Sequence, residues 1–444
     1  MKIEKIFVNQ LFGFLNHEMD LKEAGVTFIH GPNGCGKTTM LKMLASFFSW
    51  QEVGTLFEIN FGELLIIYDN KDEISVIKLM TGNEKDDNHF PVLNITLKKE
   101  LGETKRFEIS ARQAKKMPID EVDEYLPFLN RVDIKEWVDR RNGEHLSYAQ
   151  VFKKFSAKLG RFETPPEWLQ AYQKSNQVCF IPAQRLFQLD AQDSFPHRSR
   201  LFSDNYGMKE TIQLYSDELK NSISNTLTEF AAISQSRDRS FPDRLLSAPA
   251  IHLSDKDIKD KYKEIEDKII KLMNAGLIDE EKNISLPQQK LEETEKKVLF
   301  LYLQDREEKL KIFDVLQQKI EVLMEIVGPK LRNKRFKVNR HEGFVFETTN
   351  GEKDFLKPTV LSSGEQHQIV LFYELLFHSK EPSLFLIDEP EISLHVEWQR
   401  QFFNDVSKVA NLAHHSFLIA THSPQIIGSR RDIAIGLEGG ILND

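Results

Sequence analysis

The residues Val26-Thr27-Phe28-Ile29-His30-Gly31-Pro32-Asn33-Gly34-Cys35-Gly36-Lys37-Thr38-Thr39-Met40 set the architecture of the chain. A short apolar strand runs into a glycine-rich loop, and the loop runs into a segment with Met40, Leu41, Leu44 and Phe47/Phe48 at helical spacing. Residues 31–38 fit GxxxxGK[ST] at every fixed position. The glycines let successive backbone N–H groups turn inward around a phosphate. Lys37 then reaches the β/γ-phosphates of a nucleotide, and the Thr38 hydroxyl suits Mg²⁺ at the positive end of the following helix. The segment from Gly31 through Pro32, Asn33, Gly34, Cys35, Gly36, Lys37 and Thr38 to Thr39 is the expected phosphate-contacting set. Cys35 is read as a loop spacer whose backbone matters.

Three later segments complete the pattern. Leu384-Phe385-Leu386-Ile387-Asp388-Glu389 is an apolar strand ending in two acids, a costly arrangement without a cation or a reacting water to meet. Asp388 is expected to hold Mg²⁺ through water, and Glu389 to take the proton of an attacking water. Leu361-Ser362-Ser363-Gly364-Glu365-Gln366 opens a helix. Ser362 offers a hydroxyl, Ser363 and Gly364 lie at the helix start, and Gly364 lets a backbone approach an anion; a plain helix N-cap is the alternative reading. Ala420-Thr421-His422-Ser423-Pro424 follows a further apolar strand and brings His422 to its end. Strands and helices thus interleave as in an α/β protein with a mainly parallel sheet.

The rest of the chain is read more coarsely. Residues 3–21 form a hairpin turning at Gly13, and Leu64–Tyr68, Ile74–Lys78 and Leu93–Leu97 are strands of an antiparallel sheet. Residues 119–176 are expected to be mostly helical, and Val178–Ile181 is a buried-type strand. From Met208 to Val327 the sequence is helical and charged. Ile258, Tyr262, Ile265, Ile269 and Leu272 mark either the seam of a short coiled coil, with a return arm from Leu310 to Val327, or the inner face of a helical lid. A twenty-residue arm reaches only about 30 Å. Lys330, Arg332, Lys334, Arg335, Lys337 and Arg340 precede the Leu361 segment; they read either as a DNA- or partner-binding patch or as a solvated hairpin face. The expected division is 1–207, 208–330 and 331–444.

The 444 residues carry a net charge of -9, which argues against a general nucleic-acid coat. Cys35 and Cys179 are the only cysteines and form no CxxC pair, which excludes a zinc ribbon or disulfide framework and suits a reducing compartment. No signal peptide or membrane-length apolar run is visible, so a cytoplasmic protein without a membrane partner is expected.

With these segments together, the chain resembles the ABC/SMC-like ATPases, and the resemblance runs from Gly31 to His422. Leu361–Gln366 resembles their LSGGQ signature, with Ser363 in place of the first glycine. The resemblance implies a P-loop ATPase head with a parallel core sheet, an antiparallel β-subdomain and a helical or short coiled-coil insertion. It implies ATP and Mg²⁺ as cofactors and a head-to-tail dimer, or higher oligomer, in which Ser362–Gly364 of one copy cap ATP held by another. His422 resembles the switch histidine, and Pro390-Glu391-Ile392-Ser393-Leu394-His395 the D-loop, with Glu391 and His395 as interface or helix-start residues. Gln184 resembles the glutamine that touches Mg²⁺ and water, or is a polar residue leaving a strand. Phe12 and Phe14 lie where the family approaches adenine, or are hairpin core. With 22 residues after His422, no Toprim domain of the kind carried by overcoming-lysogenization-defect nucleases is expected here. The Phe180-Ile181-Pro182-Ala183-Gln184-Arg185-Leu186 string is similar to ATPase subunits of the PARIS and Septu/retron anti-phage systems, implying a separate Toprim or HNH nuclease as effector, and DNA or a phage protein as the thing sensed. A DNA-repair ATPase and a non-hydrolysing, nucleotide-stabilised scaffold are the rival readings.

Overall fold

The computed structural model describes residues 2–22, 25–81, 90–111, 115–116, 122–126, 128–133, 136–140, 144–148, 150–151, 155, 160–161, 164–184, 187–189, 208–247, 254–279, 291–349, 355–378, 382–392 and 394–437. Two compact units emerge, one built chiefly from residues 1–185 and 378–444, the other from 208–377.

The first unit holds two large sheets. Its parallel sheet has the order Gln177–Ile181, Ser383–Asp388, Ser416–Ala420, Val26–His30, Ala434–Gly436, and every neighbouring pair is parallel. Ser383–Asp388 is buried along its whole length, as its unbroken apolar run requires of a strand covered on both faces. Phe385 stacks on Phe417 of the next strand at 5.4 Å, with the His415 ring edge-on at 5.0 Å. The helix Lys37–Phe48 buries Met40, Leu41, Leu44 and Phe47 in one core with Leu384, Leu386 and Leu418. Each such side chain contributes about 1.5–3 kcal/mol.

The antiparallel sheet has the order Leu15–Asp20, Ile3–Leu11, Glu63–Tyr68, Glu73–Thr81, Phe90–Lys98, Thr104–Ser110. Ile6, Val8, Leu64 and Ile66 share the core of the helix Lys37–Phe48, so the first hairpin is pressed toward the glycine-rich loop. The helix expected across 119–176 forms at Val122–Tyr125 and Glu167–Ser175, but Leu129–Asp133, Glu136–Asp139 and Glu144–Ser147 pair as a three-stranded sheet. Trp137 is fully buried there among Val122, Leu126, Leu129, Leu146 and Val151. Strands of four or five residues carry too short an alternation to compete with the helix-favouring charged residues around them.

The second unit is helical with a small sheet. Thr211–Ser247 is a single 37-residue helix, about 55 Å long at 1.5 Å per residue. Asp255–Asn274 buries Ile258, Ile265, Ile269 and Leu272. It packs on Glu293–Leu310, which also meets Thr211–Ser247. The return arm is therefore Glu293–Leu310. The run 310–327 instead supplies Asp314–Val327, which packs against the helix Ser363–Phe377. The seam residues fix that a helix is covered, not which helix covers it. Arg244 bonds both oxygens of Asp305 at 2.6 and 2.7 Å, tying Thr211–Ser247 to Glu293–Leu310. The hairpin Lys334–Asn339/Gly343–Thr348 forms with Phe355–Leu356 as a third strand. Residues 331–377 group with 208–330 in the second compact unit; residue 207, at the other expected boundary, lies outside the described residues. Among the described residues no helix is long and apolar enough to cross a membrane.

Candidate functional site

The register of the parallel sheet gathers the candidate residues. Asp388 lies beside Ala420 and Ala420 beside Ile29, so the carboxyl ends of three strands deliver the glycine-rich loop, the acid pair and His422 to one edge. That edge is where open α/β sheets bind their ligands. Ile181 pairs with Ile387, so Gln184 leaves the sheet at this same edge and is exposed. Arg185 and Leu186 of the same string lie outside the described residues.

The loop is closely shaped. Gly34 and Gly36 have φ of +84° and +91°, the left-handed region that a side chain disfavours. A Cβ on Gly31 would lie 2.7 Å from the Leu437 carbonyl oxygen and 2.9 Å from Cys35 Sγ. Lys37 is 5 % exposed and donates from Nζ to the carbonyls of Gly31 (2.9 Å) and Pro32 (3.2 Å), with Cys35 Sγ at 3.7 Å. His17, on the hairpin strand Leu15–Asp20, donates from Nε2 to the Cys35 carbonyl at 2.8 Å and braces the loop from behind. Burial lowers its pKa, against the pull of that bond. Phe12 and Phe14 are exposed rather than hairpin core, and a Cβ on Gly36 would lie 3.5 Å from the Phe12 ring.

Thr38 Oγ1 donates to Asp388 Oδ1 at 2.9 Å. Burial raises the Asp388 pKa; the Thr38 bond opposes this, and the charge of Glu389 adds to it. A hydroxyl and a carboxylate side by side offer two oxygens of the kind a hard divalent cation takes; among the described residues no three acidic, His or Cys side chains group as a metal site of their own. The residues present therefore fit Mg²⁺ with a triphosphate. Glu389 has φ of +43°, a strained conformation for a side-chain-bearing residue that costs about 1–3 kcal/mol. Its N–H donates to the Ala420 carbonyl at 2.9 Å, and its Oε1 lies 3.6 Å from His422 Nε2.

Glu391 and His395 have local roles. His395 caps the helix Val396–Ala413 by accepting from the Glu397 N–H. Glu391 accepts from the Thr421 hydroxyl and the His422 N–H. Ser393 lies outside the described residues. Glu391 and His17 are the site residues whose contacts sequence reasoning missed: each partner lies far along the chain, and no motif marks the pair.

Ser362, Ser363 and Gly364 stand at the start of Ser363–Phe377 in the second unit. Ser362 shares a capping box with Glu365: its N–H and hydroxyl meet Glu365 Oε2 at 2.8 and 2.9 Å. Lys334 holds both oxygens of Glu365 at 2.9 and 2.7 Å. Four cations of the 330–340 cluster are engaged within the unit: Lys330 with Gln368, Lys334 with Glu365, Lys337 with Glu347 and Arg340 with Asp279.

A family model for the AAA ATPase domain matches residues 1–427. Among solved structures, an SMC head bound to the C-winged helix domain of ScpA is similar over 99% of this chain and 96% of that chain, at 11% identity and a TM-score of 0.35. The SMC head domain from Thermotoga maritima is similar over 98% and 94%, at 10% identity and 0.32. The Smc head domain with an extended coiled coil bound to the C-terminal domain of ScpA, derived from Pyrococcus furiosus, is similar over 99% and 94%, at 12% identity and 0.32. No curated protein matches the chain.

Proposed function

The chain belongs to the AAA ATPase domain family, and we propose that it hydrolyses ATP at sites completed between two copies of itself, as a subunit of a bacterial anti-phage complex that holds a separate nuclease. The observation that carries the hydrolytic reading is the contact of Thr38 with Asp388 at 2.9 Å, with Glu389 and His422 3.6 Å apart at the same sheet edge. Gly31–Thr39 would cradle the phosphates, with Lys37 exchanging the loop carbonyls for the β/γ-phosphate oxygens. Thr38 and Asp388 would hold Mg²⁺, with Gln184 approaching from the neighbouring strand; the bound ion neutralises phosphate charge. Glu389 would accept the proton of the attacking water, and His422 would donate to the γ-phosphate.

Ser362–Gly364 of a second copy would cap the nucleotide, which is supported by a helix start bearing a hydroxyl and a glycine. The nuclease partner, of Toprim or HNH type, rests on the resemblance of the 180–186 string and the insertion. A direct DNA-binding role finds little support in a cationic cluster so engaged with its own unit.

The test is Glu389→Gln. ATP turnover should fall about 100- to 10,000-fold, the range general-base catalysis supplies. Light scattering with ATP and Mg²⁺ should show a lasting rise in mass to a dimer or larger assembly. Turnover at the unaltered rate would remove the general-base assignment.

A further inference from the structure

Glu391 stands two positions beyond Glu389, and its carboxylate accepts two hydrogen bonds from one distant segment. Oε1 accepts from the His422 backbone N–H at 2.5 Å, and Oε2 from Thr421 Oγ1 at 2.9 Å. Thr421 is fully buried, and its own N–H donates to the Ile29 carbonyl at 3.0 Å, on the strand that enters the phosphate loop. Ser423 N–H donates to Thr421 Oγ1 at 3.0 Å, and Ser423 Oγ donates to Gln399 Oε1 at 2.6 Å. Gln399 Nε2 donates to the Leu394 carbonyl at 3.0 Å, and the Leu394 N–H returns to the Glu391 carbonyl at 2.9 Å. The bonds close into a ring through 391, 421, 423, 399 and 394. The ring's one carboxylate sits where two donors converge.

We infer that Glu391 is a positioning residue: its carboxylate fixes the main chain at His422, and so the imidazole 3.6 Å from Glu389. This inference rests on the hydrolytic reading of the site. His422 follows a strand end, and Glu389 has left-handed backbone, so the sheet ladder alone holds neither side chain. Glu391 supplies the missing tether, and it joins the segment after the acid pair to the segment after the last long strand. A partner copy that moved residues 390–392 would thereby move His422.

The geometry predicts that shape rather than charge matters. In Glu391→Gln the amide oxygen keeps the His422 N–H, while the Thr421 hydroxyl turns to accept from the amide nitrogen, so both bonds survive. In Glu391→Ala both are lost. Loss of such an outer support typically costs 10- to 100-fold in activity.

The experiment uses the full chain. Without nucleotide, hydrogen exchange followed by mass spectrometry should show faster exchange of the peptide containing His422 in Glu391→Ala, and the ordinary rate in Glu391→Gln. In steady-state hydrolysis, Glu391→Ala should lower kcat about 10- to 100-fold with KM for ATP within about 3-fold, and Glu391→Gln should restore most of kcat. Thr421→Val removes the bond to Glu391 and the one from the Ser423 N–H, and leaves the Glu391 carboxylate on the His422 N–H. It should lose about 3- to 10-fold in kcat, so the question stands even if Glu391→Ala does not fold. Unchanged kcat and exchange in Glu391→Ala and Thr421→Val would overturn the assignment, as would equal losses in Glu391→Gln and Glu391→Ala. If the natural chain hydrolyses ATP and Glu389→Gln stops it while the Glu391 and Thr421 variants do nothing, only this inference falls. If Glu389→Gln changes nothing, the reading of the site falls with it.

Discussion

Asp388 is placed against its own stability. The residue is 4 % exposed, burial raises its pKa from the ordinary 3.8, and the charges of Glu389 and Glu391 add to the effect. A raised carboxyl takes up its proton more readily folded than unfolded, so its penalty is absent below the unfolded value and fully present above the folded one. Asp388→Asn keeps the Thr38 bond and removes that penalty. The nucleotide-free melting temperature at pH 7 should rise by about 2–4 °C in differential scanning fluorimetry, while stabilisation by ATP with Mg²⁺ should vanish. A lower melting temperature would mean that the carboxylate is satisfied by the protein alone. That Lys37, Thr38, Asp388 and Glu389 would meet at one sheet edge was legible because each falls in a local string with a chemical reason for its order. Glu391 was not: it read as an interface or helix-start residue, because nothing near it in the chain announces Thr421, thirty positions on.

Among the elements, four of the five strands of the parallel sheet could be read directly as unbroken apolar runs, while the three residues of Ala434–Gly436 carry too little pattern to be read. The small sheet around Trp137 and the helix that covers Asp255–Asn274 could not, because both depend on partners chosen by packing. The first hairpin shows a similar dependence. Its strand Leu15–Asp20 was expected, but the bond from His17 to the Cys35 carbonyl joins two elements that sequence leaves unrelated. Burial holds the folded pKa of His17 below its ordinary 6.5, so the unfolded chain binds the proton first. The stability tied to the neutral ring is complete above that value and is lost as pH falls through the folded pKa. Melting temperatures between pH 7.5 and 5.5 should therefore fall less steeply for His17→Gln, which keeps a donor for Cys35 and cannot titrate there. Equal slopes would show that some other group carries the acid sensitivity.

At the scale of the whole molecule, the phosphate loop and Ser362–Gly364 belong to different compact units of the chain. If two copies share each site, a Lys37→Ala chain and a Gly364→Asp chain, each inactive alone, should restore hydrolysis when unfolded and refolded together. Random pairing makes half the dimers mixed, with one sound site of two, so about one quarter of the natural rate should return. No recovery would sink the shared-site reading. The choice of Lys37 for that experiment follows from the packing of the loop. Gly31 leaves no space for even a methyl group beside Leu437, whose N–H bonds the His30 carbonyl at 2.7 Å where Ala434–Gly436 joins the sheet. An alanine at 31 would prise the outermost strand from its neighbour before any nucleotide arrived. A Gly31 variant that failed to retain ATP would then report a loosened sheet margin and say nothing about phosphate recognition.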